Sequence, residues 1–107
     1  MEKKIYIGIV SNPETNETIG IKVFEEYENS KKWIDDLVDG QIRIEGSQNA
    51  RVVYRYDKDR DTHERPDAAS FSWRFMNPLY IVQVSGTNPL NEQKYITERL
   101  VIEENLN

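Results

Sequence analysis

Lys4-Ile5-Tyr6-Ile7-Gly8-Ile9-Val10 is the stretch on which the fold turns. Ile5, Ile7 and Ile9 alternate with Tyr6, Gly8 and Val10, the period-2 pattern of a strand rich in β-branched residues. Residues 18–24 repeat it, with Ile19, Ile21 and Val23 set against Gly20, Lys22 and Phe24. Between the two runs lies Ser11-Asn12-Pro13-Glu14-Thr15-Asn16-Glu17, all of it turn chemistry. The sequence therefore predicts an antiparallel hairpin. Pairing Val10 with Thr18 sets Ile9 opposite Ile19, Ile7 opposite Ile21, Ile5 opposite Val23 and Gly8 opposite Gly20. One face is then purely isoleucine and valine.

A helix follows, with Asn29 or Ser30 as its cap and Gly40 as its stop. Trp33, Ile34, Leu37 and Val38 form its apolar stripe. Between those limits the bases Lys31 and Lys32 come first and the acids Asp35, Asp36 and Asp39 last, an order that opposes the helix macrodipole. Such a short helix needs tertiary support. Docking of the Trp33 stripe on the isoleucine face of the hairpin would supply it.

Further along, Gln41–Glu45 reads as a short strand through Ile42 and Ile44. Ala50–Tyr56 is a strand with Val52, Tyr54 and Tyr56 on one face and Arg51, Val53 and Arg55 on the other. Asp57–Ala69 is a polar loop. Ser70–Phe75 alternates Phe71, Trp73 and Phe75 with Ser70, Ser72 and Arg74. Leu79–Val84 is an apolar strand. Lys94–Glu103 suits either a helix or a strand, and its alternation of Ile96, Glu98, Leu100 and Ile102 favours the strand. The expected class is α+β: an antiparallel sheet of about five to six strands, ββα followed by a β-meander, with one helix packed on one face.

At 107 residues, with no internal repeat or linker, residues 1–107 make one domain. No run approaches a membrane span, and Met1-Glu2-Lys3-Lys4 leads straight into the first strand with no cleavable apolar block. A cytoplasmic location is expected. The absence of cysteine removes disulfides, thiolate metal sites and a cysteine nucleophile. No phosphate-binding glycine loop, dinucleotide fingerprint or nucleophile elbow occurs. Asp57-Lys58-Asp59-Arg60-Asp61 matches the opening spacing of a calcium loop, but Thr62 stands where that loop needs glycine and Ala68 where it needs a bidentate glutamate. His63, the single histidine, lies in this charged loop, where the ordinary reading is an exposed side chain. Neither a metal, a cofactor nor an enzymatic activity is expected.

Charge distribution is more informative. Residues 1–40, 41–76 and 77–107 carry −4, +1 and −2. Six of the seven arginines fall in 43–74, interleaved with aromatics. Arginine beside aromatics suits a stacking platform for nucleic acid or a protein-binding hot spot. The strand phases place Arg51 and Arg55 opposite Tyr54 and Tyr56, and Arg74 opposite Trp73, which favours an aromatic core with arginines outside it. A net charge of −5 further disfavours nucleic acid.

Two candidate surfaces result. One is acidic, formed by Glu25, Glu26, Glu28, Asp35, Asp36 and Asp39. The other combines Arg51, Arg55 and Arg74 with Tyr54 and Trp73. The expected function is a small acidic, non-enzymatic interaction protein that binds a macromolecular partner with a basic surface, inhibition of that partner being one outcome open to such binding. Phage- and plasmid-type inhibitors of host nucleic-acid-handling proteins are comparable in size and charge. The alternative is a small-ligand-binding or sensor domain with an aromatic-lined pocket between the aromatic hairpin and the helix. Sheet edges also leave room for a homodimer; the alternative is that the lysine and glutamate of Lys94–Glu104 guard such an edge against pairing.

Overall fold

The structure is a computed structural model that describes residues 3–12, 14–15, 17–58, 78–88 and 90–106. Strands β1 (Lys3–Asn12) and β2 (Glu17–Phe24) precede the helix α1 (Tyr27–Glu45), and β3 (Arg51–Asp57), β4 (Tyr80–Thr87) and β5 (Lys94–Leu106) follow it. The five strands form one antiparallel sheet in the order β2-β1-β5-β4-β3, with α1 on one face. The α+β class inferred from the sequence is the one observed. The Ser70–Phe75 strand lies outside the described residues. No described helix is long and apolar enough to cross a membrane.

Residues 94–106 are strand because of position. β5 lies between β1 and β4, so both its flanks make ladder hydrogen bonds, a reward no local helical preference matches. It is an interior strand, and its lysine and glutamate guard no edge.

The hairpin forms, in a different register. Val10 pairs with Gly20, Ile9 with Ile21, Gly8 with Lys22, Ile7 with Val23 and Tyr6 with Phe24. The register then shifts, and Ser11 and Asn12 pair with Thr18 and Glu17. The ladder thus runs closer to the turn than the isoleucine pattern alone implied. A two-residue slip preserves the faces, so the isoleucines still share a side.

That side is not where the helix docks. Ile34 and Val38 pack with Ala50, Tyr80, Val82, Val84 and Val101, joined by Tyr6, Tyr27, Trp33, Ile42 and Val52. The helix therefore covers the Tyr6/Gly8 face of β1. Gly8 explains the choice: a Cβ there would lie 2.6 Å from Trp33 Cζ3, so the indole rests on bare backbone. Phe24 packs beside the indole, with centroids 5.8 Å apart and the rings tilted by 50°. The Gly8 notch receives an element of the same chain, and the Gly8–Gly20 pair does not form.

The isoleucines instead help to build a second core on the opposite face. Ile9 is buried with Tyr54, Ile81 and Leu100, and Ile7, Tyr56 and Ile102 are partly buried beside them. On β2 the same row is open: Ile19, Ile21 and Val23 are 62, 62 and 56% exposed.

The helix is longer than its apparent signals. It runs through Gly40 and ends at Gly46, whose φ of 89° lies in the region glycine favours and whose N–H donates to the Ile42 carbonyl (2.8 Å). Ile34, Val38 and Ile42 recur at i, i+4 and i+8, so Gln41–Glu45 belongs to the helix and not to a strand. Ile44, its apparent alternation partner, is 86% exposed. Asn29 and Ser30 lie inside the first turn. The cap position is Glu26, which makes no side-chain cap, while Ser30 is buried and donates to the Tyr27 carbonyl (2.6 Å). With these ends, Glu28 in the first turn and Arg43 in the last agree with the macrodipole. The order of Lys31 and Lys32 before Asp35, Asp36 and Asp39 now falls in the helix interior, where the macrodipole acts least, while Glu45 in the last turn still opposes it.

In β3 the ladder shifts between Val52 and Tyr54. Val53 is the extra residue, so Val52 packs towards the helix while Tyr54 and Tyr56 pack in the second core. A strict alternation had put these three together.

Candidate functional site: the acidic helix and the polar ties beneath it

The acidic residues occupy α1 and the two residues before it, and the fold divides them. Glu25 is exposed and meets Lys3 Nζ at 3.1 Å. Glu26 is exposed at the cap position, where Asn29 Nδ2 donates to it at 3.4 Å. Glu28 is exposed and 3.5 Å from Lys31. Asp36 and Asp39 point to solvent. Ion pairs this open each contribute roughly 0–1 kcal/mol and leave the carboxylates accessible.

Asp35 differs. It lies on the side of the helix turned towards β3, where Arg55 Nη1 reaches its Oδ1 at 3.1 Å. The Tyr80 hydroxyl donates to the same oxygen and accepts from Arg55. One member of the acidic set and one of the arginine set therefore bind each other. Burial pushes the Tyr80 hydroxyl well above its ordinary value, and the hydrogen bond to Asp35 adds to that, so it stays protonated and donating.

A second tie lies one turn earlier. Lys31 Nζ donates to Asp57 Oδ2 (3.1 Å), and both side chains are largely buried. The Tyr27 hydroxyl donates to the Leu79 carbonyl (3.0 Å) and lies 3.3 Å from Asp57 Oδ1. Lys31 and Lys58 each lie over the Tyr27 ring, at 4.8 and 4.9 Å. Burial alone would lower the Lys31 pKa, but hydrogen bonding and attraction to Asp57, with Glu28 behind it, raise it overall. These are fixed charges that hold the first half of α1 against β3 and β4.

The arginine and aromatic set does not assemble as a surface among the described residues. Tyr54 is buried in the second core, Arg51 is exposed on β3, and Arg55 is engaged with Asp35 and Tyr80. Arg74 and Trp73 lie outside the described residues, as does the aromatic hairpin invoked for a ligand pocket. Of the Asp57–Asp67 loop, Asp57 and Lys58 are described, and Asp57 is committed to Tyr27 and Lys31. Among the described residues no group of three or more histidine, aspartate or glutamate side chains is placed to hold a metal ion.

Sequence reasoning missed a third tie, under the last turns of α1. The Tyr95 hydroxyl donates to Glu45 and accepts from Gln41 Nε2 (3.1 Å). Arg99 donates to Gln41 Oε1 and, at 2.8 Å, to the Thr97 hydroxyl. Arg99 is buried, which lowers its pKa against the opposing charges of Tyr95 and Glu45. Tyr95 fits because Gly86, its cross-strand partner, has no side chain: a Cβ there would lie 2.4 Å from the ring. Reading residues 41–45 as strand hid this network. On the far face, Gln83 Nε2 donates to Glu98 Oε2 at 2.8 Å, with both side chains buried. Glu98 stands in phase with Ile96, Leu100 and Ile102, a signal present in the sequence. No protein-family model, no curated protein and no solved structure matches the chain.

Proposed function

We propose that this is a small acidic interaction protein whose helix offers carboxylates to a basic surface on a macromolecular partner, in the manner of an inhibitor of a nucleic-acid-handling protein. The observation that carries this reading is where the charge lies. Segment 25–45 holds seven acidic and three basic residues, which is −4 of the chain's −5. Its inward polar groups are engaged with the sheet, whereas Glu25, Glu26, Glu28, Asp36 and Asp39 remain at the surface. Carboxylates on a rigid helix can take the places of phosphates on a basic surface without ordering a flexible segment.

The experiment is capture from extract of the protein's own host on immobilised wild type and on an Asp36→Asn/Asp39→Asn variant, at ~0.05 and ~0.5 M salt. The expected result is a basic protein retained by the wild type at low salt, released at high salt, and at least tenfold depleted on the variant. Retention indifferent to salt and to both substitutions would refute the reading. Asp35 is left intact because it is tied to Arg55 and Tyr80, so its loss would disturb the fold as well as the surface.

A further inference from the structure

Gly40 stands in the interior of α1, where only proline is less favourable than glycine. Its backbone is ordinary helix, and a Cβ there would meet nothing within 4 Å, so neither the core nor the sheet requires a glycine. What surrounds the bare backbone is the outer surface of the helix. The residues three and four positions away are its neighbours on that surface: Asp36, Leu37, Arg43 and Ile44. All four are exposed, Ile44 by 86%. At about 100° per residue, Leu37 and Ile44 fall on one side of Gly40, and Asp36, Asp39 and Arg43 on the other. The helix thus carries a notch with one apolar wall and one charged wall. Among the described residues Asp36, Asp39 and Arg43 make no ion pair.

We propose that this notch seats an arginine side chain of the macromolecular partner, its methylene stem on Gly40 against Leu37 and Ile44 and its guanidinium at Asp36 and Asp39. The inference rests on the reading of α1 as the contact for a basic surface, and it names the group that is gripped. The occupant is argued from complementarity. Arginine joins an apolar stem to a cationic head, as the notch joins an apolar wall to carboxylates. Asp36 and Asp39, three residues apart, have Cβ atoms about 5–6 Å from each other, a span that the planar fork of a guanidinium bridges and the point charge of a lysine does not. Arg43 stands seven residues beyond Asp36, about 10 Å along the axis, and repels a cation, so the head is turned towards the N-terminal end of the notch. Gly40 then has a use that offsets its cost to the helix: any side chain there would fill the place of the stem.

The test is amide NMR of the isotope-labelled protein, titrated at low salt with a capped pentapeptide carrying one central arginine. Saturable shifts should centre on residues 36–44. Replacing the central arginine by citrulline, which keeps the shape and removes the charge, should weaken binding about tenfold, and replacing it by lysine about threefold. Gly40→Ala leaves the charge unchanged and favours the helix, yet it should weaken binding about fivefold or more. Ile44→Gln, at an exposed position, should weaken it about twofold to threefold, and Asp36→Asn/Asp39→Asn should remove it. Binding lost on Asp36→Asn/Asp39→Asn but unchanged by Gly40→Ala and Ile44→Gln would overturn the notch and leave the acidic-helix reading standing, since charge alone would then suffice. Equal binding of the arginine and lysine peptides, shifts centred away from Gly40, or no saturable binding would overturn it too. The acidic-helix reading itself stands or falls on the capture experiment, whose salt dependence does not involve Gly40.

Discussion

Gly8 and Gly20 occupy the same hairpin with opposite consequences. At Gly8 the Trp33 ring occupies the space of a side chain, with Cζ3 at 2.6 Å and Cε3 at 2.7 Å from an ideal Cβ. Those atoms belong to a rigid ring packed on the strand and beside Phe24, so they cannot swing aside as the end of a flexible chain would. Gly8→Ala should therefore cost about 1–3 kcal/mol through overpacking, despite its better strand propensity. Gly20→Ala meets nothing and should be neutral, or stabilise by about 0.5–1 kcal/mol through the unfolded chain's lost freedom. Urea unfolding of both variants checks this. Equal effects would mean that Trp33 does not rest on Gly8. The arginines make the same point about context. Arg55 and Arg51 share a strand, yet Arg55 closes a three-membered tie with Asp35 and Tyr80 while Arg51 faces water.

At the scale of elements, α1 shows what local signals carried and what they did not. Gly40 followed a charged run and looked like a stop, and Ile42 and Ile44 looked like a strand. Both readings weighed local residues without the i, i+4, i+8 series Ile34, Val38 and Ile42, which tertiary contact with Val82, Val84 and Val101 makes decisive. Gly40 is thus an interior helical residue with open space around it. Gly40→Ala should raise stability by roughly 1 kcal/mol, the ordinary propensity difference in a helix interior, and a denaturant midpoint measures it. A loss of stability would mean that the helix breaks there after all. The strands were more legible, because alternation of β-branched residues survives any even slip of register. Gly8 breaks the row of larger side chains formed with Tyr6 and Val10, but nothing in a linear pattern says that Trp33 will fill the space it leaves. Of the candidate site, the exposed acids could be read directly. The inward ties of Asp35, Lys31 and Glu45 could not, because their partners Tyr80, Asp57 and Tyr95 are 26 to 50 residues away.

Across the whole molecule, one helix is held to the sheet by an apolar stripe and by polar ties along its length: Lys31 with Asp57, Asp35 with Tyr80 and Arg55, Glu45 with Tyr95. Three of these groups have pKa values moved in the same direction. Burial raises Tyr80 and Tyr95, each helped by a carboxylate, and Asp57 and Glu28 raise Lys31 against its burial. A pKa raised in the fold means that the folded state keeps its proton to higher pH than the unfolded chain. Below the unfolded values, about 10 for both residue types, both states are protonated and the contribution is complete. Above them the unfolded chain loses protons first, so stability falls as pH rises towards and through the folded values. Melting temperature should therefore hold steady from pH 7 to 9 and fall increasingly steeply from pH 10 to 11. A Tyr80→Phe/Tyr95→Phe variant should melt lower than wild type at pH 8, having lost the four hydrogen bonds of the two hydroxyls, but decline less over the alkaline limb because two of the three titrating groups are gone. Thermal unfolding of both proteins across that range decides it. If the variant's alkaline decline is as steep as the wild type's, the loss of stability at high pH arises elsewhere than in these helix-to-sheet ties.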